Sequence, residues 1–356
     1  MRQLLFTRLR QALGVAFGVI TVVFLLFSAL PGDPARMMMG QQEDQEQLAR
    51  IRALYGFDKP LWKQYLYYLN DLSPLSVHPP EGFGAYEANR YGGWKLAEPA
   101  GWSLVLKSPY LRQSFQQGDR AVSDILGQVL PNTLLLAVAA ILLALALGIP
   151  MGLAAAHWQG SWIDRSLVVL SSLGMSVPSF FSAILIAWIF GFVWHQWTGL
   201  EMNGNLYELD NYGEAIHLRW KNLLLPALTL GIRPLGVITQ LTRGSVLEVL
   251  QLDYIRTARS KGLTEWRILS GHALPNALIP VVTAVSGWFA SMLAGAVFVE
   301  YIFGWNGMGK QLVEALNLMD LPVVMGAVLV TGLLFVAVNT LVDVLYAAID
   351  PRLRIQ

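Results

Sequence analysis

Long uncharged stretches of apolar residues alternate with polar segments along the whole chain. A helix that crosses the roughly 30 Å hydrocarbon core of a bilayer needs about 20 apolar residues. Six stretches come close to that length or exceed it, although Arg233, Arg243 and Glu248 interrupt the fourth. The third contains Pro178, where we expect an initial interfacial helix to bend, because an interior proline removes a helical hydrogen bond. The pattern predicts an all-α integral membrane protein with six transmembrane helices. They lie in Leu13–Leu30, Thr133–Ala156, Ser166–Trp194, Asn222–Leu250, Asn276–Val299 and Leu321–Val342.

Basic residues cluster in three short segments that six spans would place on one side of the membrane. Because lysine and arginine accumulate in short cytoplasmic loops, both termini and the loop between the fourth and fifth spans are predicted to be cytoplasmic. The opposite loop, His195–Lys221, carries four acidic and two basic residues, which fits the outside. A cleaved signal peptide is the alternative for the N-terminus, but Ala29–Pro34 (ALPGDP) lacks an A-x-A-like cleavage site. The clustered residues are Arg2, Arg8 and Arg10, then Arg256, Arg259, Lys261 and Arg267, then Arg352 and Arg354.

The region between the first and second spans, residues 31–130, is predicted to be external. Gln41–Leu54 reads as a polar helix and Leu61–Leu72 as an aromatic amphipathic helix. Val77–Lys107 is rich in glycine, proline and aromatic residues, as loops and docking surfaces are. The predicted organisation is therefore a cytoplasmic start with the first span (1–30), the external region (31–130), a five-helix core (131–350) and a cytoplasmic tail (351–356).

Composition narrows the class of function. Of the 356 residues, 54% are hydrophobic and 14% are charged. The 25 basic residues are nearly balanced by 24 acidic ones, so no nucleic-acid partner is expected. There are no cysteines, which excludes disulfides and thiolate metal sites. None of the five histidines pairs at helical spacing, and no nucleophile elbow or H-E-x-x-H motif appears. We predict no catalytic site, no metal site and no cofactor.

The polar segment Asp253–Ser270 is unusual for a loop between two apolar spans, because it is basic and helix-prone. Arg256, Arg259 and Lys261 crowd its first part, and Gly262 permits a left-handed backbone between two helices. Thr264 is a candidate N-cap for the second helix, which we expect to end before Pro275. Charge alone leaves two interpretations of this segment open. It is either a cytoplasmic surface that another protein binds or an anchor that binds lipid headgroups.

The residues Arg256-Thr257-Ala258-Arg259-Ser260-Lys261-Gly262, followed by His272, Ala273, Asn276 and Pro280, resemble the coupling loop of permease subunits in bacterial ABC importers for dipeptides and oligopeptides. The resemblance extends to Ala29–Pro34, to Leu241–Leu250 and to the C-terminal end from Val342. Two departures are an apparent insertion at Val77–Lys107 and Asn306 in place of the proline in the family's F-x-x-P-G-x-G pattern.

The resemblance implies a type I importer permease, with one helix before a five-helix core, in the bacterial inner membrane. It also implies a second homologous permease, two cytoplasmic ABC ATPase subunits, an external substrate-binding protein, contact with membrane lipid and a peptide substrate. ATP hydrolysis would then belong to the partners and not to this chain. The substrate stays open among dipeptides, longer peptides, glutathione, antimicrobial peptides and nickel complexes. The implied coupling residues, within 253–272 and just beyond, are Asp253, Tyr254, Arg256, Thr257, Ala258, Arg259, Lys261, Gly262, His272, Asn276 and Pro280.

Three further features have alternative interpretations. Gly304–Gln311 (GWNGMGKQ) nearly matches a nucleotide P-loop, but Gln311 lacks the hydroxyl that ligates Mg²⁺, and an apolar span precedes it. Arg233 lies ten residues into its span, about 15 Å deep, as either a residue of the substrate pathway or a structural ion pair. Glu300 could line the outer end of that pathway or act as a capping charge, and Asp343 is similar near the cytoplasmic face. A secondary transporter would show inverted repeats and intramembrane acidic residues, and neither is evident.

Overall fold

The computed structural model describes residues 2–29, 35–36, 45–118, 120–209 and 216–349. Residues 30–34, the first part of the predicted polar helix (41–44) and the predicted tail (351–356) lie outside these ranges, and so do Asp210 and Glu214. The helices are α1 Arg2–Ala29, α2 Gln45–Tyr55, α3 Leu61–Leu72, α4 Ala88–Tyr91, α5 Val122–His157, α6 Trp162–Ser176, α7 Ser179–Ile186, α8 His195–Thr198, α9 Lys221–Val249, α10 Asp253–Ser260, α11 Glu265–Ile268, α12 Leu274–Ile302, α13 Met308–Asn317 and α14 Leu321–Ile349. The strands are β1 Leu75–His78, β2 Trp94–Ala97, β3 Ser103–Leu106, β4 Tyr207–Leu209 and β5 Ile216–Leu218.

Within the described ranges, five helices are long and apolar enough to cross a membrane. The bent pair of α6 with α7 and the π-helical segment Ala187–Val193, whose two parts meet at 110°, makes six if it is counted as one broken span and not as a re-entrant loop. Val177 has an extended backbone (φ −77°, ψ 132°) because the ring of Pro178 disfavours a helical conformation in the preceding residue. The helical fold with up to six spans and the bend at Pro178 are therefore confirmed. The five are Phe6–Ser28, Val122–His157, Lys221–Val249, Glu265–Leu293 and Leu321–Val342.

The chain forms two compact units, of which the first comprises Met1–Val129 and Gln311–Val336. In this unit α3 packs on α1, and the Thr21 and Tyr65 hydroxyls are hydrogen-bonded at 2.7 Å. The amphipathic helix predicted at Leu61–Leu72 has the predicted bounds. Its buried face joins Tyr68 and Leu72 to Phe24 of α1 and Leu329 of α14 in one apolar cluster.

A three-stranded antiparallel sheet in the order β1-β3-β2 follows α3. The expectation of loops throughout Val77–Lys107 was wrong, because β2, β3 and half of β1 lie in it. Strands of four residues are too short to produce a clear alternating pattern. Gly93 (φ +80°) allows the chain to approach β3 closely, because a β-carbon at this position would lie 2.4 Å from the carbonyl oxygen of Leu106.

The second unit comprises Leu130–Lys310 and Ala337–Gln356, and α9 packs against both α12 and α6 within it. Small residues allow the helices to approach closely. A β-carbon at Gly152 of α5 would lie 2.5 Å from the carbonyl oxygen of Thr239, and one at Gly231 would lie 2.7 Å from that of Ala140. Helix α9 continues through both Pro226 and Pro234, so neither proline ends it.

Candidate functional site

The basic segment after α9 folds as the predicted helix–turn–helix. Helix α10 ends at Ser260, Gly262 adopts a left-handed backbone (φ +78°) and α11 begins at Glu265. Thr264 occupies the N-cap position with an extended backbone, although its side chain makes no capping hydrogen bond. We call residues 253–273 the coupling segment.

The second helix of the coupling segment does not end before Pro275, contrary to the prediction. A π-helical turn, Leu269–Ala273, joins α11 directly to α12, and Leu274 N donates to the carbonyl of Leu269. In a regular α-helix the ring of Pro275 would clash with the carbonyl of Gly271, four residues earlier. A π turn widens the helix at this point, so the helix passes the proline without a break.

The apolar face of the coupling segment is packed on the membrane helices. Ile255 and Ile268 are fully buried, and Leu269 and Ala273 lie beside them. They share one apolar cluster with Leu153 and Ala156 of α5 and Val246 of α9. Because interiors are close-packed and resist deformation, this packing connects the segment rigidly to these helices.

The opposite face of the coupling segment presents cations to solvent. Arg256, Arg259 and Lys261 are exposed. Arg259 spans the turn at Gly262 and donates two hydrogen bonds to Glu265, at 2.9 and 3.3 Å. This carboxylate raises the pKa of Arg259, which stays protonated. Arg256 contacts Asp253 at 3.3 Å, with its side chain 75% exposed, so its charge remains available to a partner.

Three of the predicted coupling residues meet at one point. The Tyr254 hydroxyl donates to the carbonyl of His272 at 3.1 Å, and the Asn276 amide donates to the same carbonyl at 3.0 Å and to the hydroxyl at 2.9 Å. These bonds join α10 to the start of α12. Within α10, Thr257 donates to the carbonyl of Asp253 and Ala258 is buried. Pro280, in α12, has no N–H to donate to the carbonyl of Asn276.

An ion pair between α6 and α9 was not predicted as a contact. Arg243 donates from Nε and Nη2 to the two carboxylate oxygens of Asp164, at 2.6 and 2.8 Å. The Asp164 side chain is 4% exposed and also accepts from the backbone N–H of Gly160 at 2.9 Å. Arg243 itself is the sequence feature that could have indicated this contact, because a charge in an apolar helix needs a partner. The partner is 79 positions away, which a sequence pattern does not reveal.

The two predicted pathway residues have different surroundings. Arg233 is partly buried, and its Nε has no hydrogen-bond partner among the described residues. Glu300 is fully buried, and its carboxylate accepts from the backbone N–H of Gly309 at 2.6 Å. A β-carbon at Gly307 would lie 2.4 Å from the carboxyl carbon of Glu300. In this conformation Glu300 therefore supports the glycine-containing turn after α12. This turn contains the P-loop-like sequence, which follows a helix.

Polar contacts connect that turn to Asn132 of α5 and to Asn205 of the loop before β4. Trp305 donates its indole N–H to the carbonyl of Asn132 at 3.1 Å, and Asn132 donates to the carbonyl of Asn306 at 2.7 Å. The backbone N–H of Asn306 donates to Asn205 at 2.6 Å. A proline at position 306 would have no N–H for this last bond. The departure from the family's pattern therefore has a structural use.

Comparison with known proteins identifies the family. Residues 148–355 match the model of the binding-protein-dependent transport system inner membrane component, and residues 1–78 match that of the N-terminal part of such membrane components. The chain belongs to this family. The predicted family is confirmed, and the chain is the inner membrane component of a binding-protein-dependent transport system. Membership agrees with the predicted permease fold, in which one helix precedes a five-helix core.

Relatives similar over nearly the full length share this class. A Brucella abortus protein named for a peptide transport system permease is 38% identical over 356 residues, covering 99% of both chains. The dipeptide transport system permease protein DppB of Escherichia coli is 33% identical over 375 residues, again covering 99% of both. Among solved structures, the MetNI methionine ABC transporter in inward-facing conformations is similar with a TM-score of 0.45 and 16% identity. The match covers 62% of this chain and 96% of that one.

Proposed function

We propose that this chain is the permease subunit of an ABC importer for peptides and that its coupling segment receives the motion of a cytoplasmic ATPase. The observation that carries the proposal is the two-sided construction of that segment. Its apolar face is buried on α5, α9 and α12, while Arg256, Arg259 and Lys261 face outwards. A surface that only bound lipid headgroups would not need such a rigid connection to the membrane helices.

The remaining parts of the importer are assigned by analogy with the named relatives. Two ATPase subunits would hydrolyse ATP, a second homologous permease would complete the pathway, and an external binding protein would deliver the substrate. The names of relatives that match over 99% of the chain support a peptide substrate. The exposed Arg8, Arg10, Arg256 and Lys261 support a cytoplasmic N-terminus and a cytoplasmic coupling segment.

The mechanism follows from the packing. When ATP closes the ATPase pair, each ATPase displaces the coupling segment bound in its groove. Because Ile255 and Ile268 are locked against α5 and α9, the displacement moves whole helices and shifts the equilibrium between inward- and outward-open states. Arg233, in the middle of α9, is proposed to meet the substrate's carboxylate, and Glu300 to act near the outer end of the pathway if it becomes exposed.

The decisive experiment is co-purification of ATPase subunits with the tagged chain from native membranes in mild detergent. The test variant replaces Arg256, Arg259 and Lys261 by alanine. A matched control replaces three lysines elsewhere by alanine, the exposed Lys63 and Lys95 and the partly exposed Lys59. We expect the ATPase with the native chain and the control, and its loss with the test variant. Absence from all three would contradict the proposal and favour transport driven by an ion gradient.

Arg233 is tested separately, because it does not contact the ATPase in this proposal. An Arg233→Met variant should assemble normally but transport peptide into ATP-loaded vesicles at least several-fold more slowly. Normal assembly with normal transport would remove Arg233 from the pathway and leave it as a structural residue.

A further inference from the structure

The three-stranded sheet of the first unit has one polar, buried face and one apolar, exposed face. Ser76, His78, Ser103 and Val105 are buried. On the other face Leu75, Leu106 and Trp94 form one cross-strand row, in which Leu106 pairs with both neighbours. Their exposed fractions are 51%, 41% and 76%. Val77, 47% exposed, extends the apolar face along β1. We call these four residues the outer face of the sheet.

Polar groups of the sheet lie on the side away from the outer face. Lys95 is in register with Val105, whose side chain is buried on the opposite face from Leu106. Its Nζ lies 5.7 Å from the ring of Tyr86, which in turn contacts His78 on the buried face. Lys95 also pairs with Glu98 at 2.9 Å. The sheet is therefore amphipathic, with its charges segregated from the apolar row.

The sheet is attached directly to the last turn of α3. The side chain of Asn70 accepts from the N–H of Val77 at 2.9 Å and donates to the carbonyl of Val77 at 3.0 Å. These two bonds satisfy the backbone groups of Val77 that point away from β3. A strand in a region with little water needs hydrogen-bonded backbone groups at its edge, because unsatisfied backbone groups are costly there.

Helix α3 packs against two of the candidate spans inside their ends, and this packing sets the depth of the sheet relative to those spans. Its Tyr65 is bonded to Thr21, and its Tyr68 ring lies 5.5 Å from that of Phe24. The span of α1 ends at Ser28, so Thr21 and Phe24 lie about 10 and 6 Å inside it at ~1.5 Å per residue. Leu72 joins the same cluster as Leu329, which is about 12 Å inside the span that begins at Leu321. Strand β1 begins three residues after Leu72.

We propose that the outer face of the sheet is embedded in the membrane leaflet at the C-terminal end of α1, with lipid as its partner. The outer face continues the lipid-facing surface of the spans, because α3 holds the sheet at their depth. This continuity favours lipid over a soluble protein as the partner. Trp62 and Leu66, on the exposed side of α3, extend the apolar surface. The exposed Trp94 and Trp102 fit a bilayer interface, where indoles accumulate. The sheet would then act as a wedge that holds the first unit in the leaflet.

This inference does not depend on the proposed function, so its test uses depth and not transport. Because the chain contains no cysteine, single cysteines can be labelled without background. Leu106→Cys and Trp94→Cys place a nitroxide spin label on the outer face, and Lys95→Cys is the matched control one residue from Trp94. The full-length chain, with the subunits that co-purify with it, is placed in nanodiscs of phosphatidylethanolamine and phosphatidylglycerol.

Power saturation then compares collisions with oxygen, which dissolves in lipid, and with a neutral nickel chelate, which stays in water. We expect labels at Leu106 and Trp94 to be several-fold more accessible to oxygen than to nickel, and the label at Lys95 to show the reverse. Equal or greater nickel access at Leu106 and Trp94 would show that the face is in water. Immobilised labels that neither reagent reaches would show that a protein covers it. Either result overturns the proposal, and Leu75→Cys repeats the test on β1 should a variant misfold.

Discussion

Arg243 donates two parallel hydrogen bonds to Asp164, at 2.6 and 2.8 Å, and so joins the end of α9 to the start of α6. The carboxylate is almost fully buried and receives a third bond from the backbone of Gly160. Bidentate pairs of this kind are stronger and more directional than ordinary ion pairs. Arg243 lies ten residues before the coupling segment begins, so the contact holds α6 to the helix that carries that segment.

A double-mutant cycle of Asp164→Asn and Arg243→Met should give a coupling energy of about 1–3 kcal/mol in the free energy of unfolding. Each single change leaves an unpaired group in a largely buried site, and the double change does not. The control is the exposed Arg259–Glu265 pair, with side chains 45% and 54% exposed, for which Arg259→Met and Glu265→Gln should couple by less than about 1 kcal/mol. Equal coupling in the two cycles, measured by denaturant unfolding in detergent, would contradict this prediction.

Gly262→Ala should destabilise the coupling segment by roughly 1–2 kcal/mol, because the left-handed backbone of Gly262 (φ +78°) brings a β-carbon too close to the following carbonyl. Gly244→Ala is the matched control, since Gly244 lies in α9 with open space around it and alanine favours helix. Hydrogen–deuterium exchange of residues 253–268 checks the effect. Faster exchange is expected only for Gly262→Ala, and equal exchange in both variants would exclude backbone strain at Gly262.

Gly307→Ala should destabilise the turn after α12 by about 1–3 kcal/mol, because the added carbon would lie 2.4 Å from the carboxyl carbon of Glu300. Gly295→Ala, in α12 and with nothing near its β-carbon, should have little effect. Combining Gly307→Ala with Glu300→Ala removes the clash, so the double variant should lose less stability than the two single losses added together. Thermal unfolding in detergent measures all four, and strict additivity would mean that the two residues do not touch.

The sheet of the first unit should lose stability in acid because of His78. Its Nδ1 lies 2.9 Å from the carbonyl of Gly84 and its Nε2 lies 2.9 Å from the hydroxyl of Ser76, so Nδ1 carries the proton. Burial lowers the pKa of His78 below its usual 6.5. The folded state then binds fewer protons than the unfolded state, so stability is complete above about pH 6.5 and falls as the pH drops towards the lowered pKa.

Hydrogen exchange of residues 75–106, corrected for the intrinsic pH dependence, measures this effect. A His78→Phe variant should lose the acid sensitivity, while His217→Gln, which changes an exposed histidine, should keep it. Retention of the full sensitivity in His78→Phe would assign it to another group.

Much of the membrane architecture could be predicted because the bilayer imposes strong constraints on sequence. Apolar length alone located the spans, and Pro178 located the bend, since its effect on Val177 is local. The coupling helix–turn–helix followed from Gly262 and the surrounding helix formers for the same reason. Bonds between distant elements were not accessible in this way. The Asp164–Arg243 pair and the meeting of Tyr254, His272 and Asn276 depend on how helices pack, which charge and periodicity do not specify.

The short sheet and the π turn were missed for different physical reasons. The strands contain four residues each, and in β1 the polar residues Ser76 and His78 are buried while the apolar residues are exposed, which reverses the usual pattern. At Pro275 the expectation applied the rule for an α-helix. The rule fails where the helix widens to admit the proline, and no residue type marks that widening in advance.

The π turn at Leu269–Ala273 gives α11 and α12 a property that an ordinary helix lacks. It holds one residue more than an α-helical turn, within a single uninterrupted helix from Glu265 to Ile302. The extra residue offsets every side chain beyond the turn by about 100° around the helix axis, compared with a regular α-helix that continued from α11. Because Pro275 opposes α-helical pairing at this point, the turn fixes the rotational phase of α12 relative to the coupling segment.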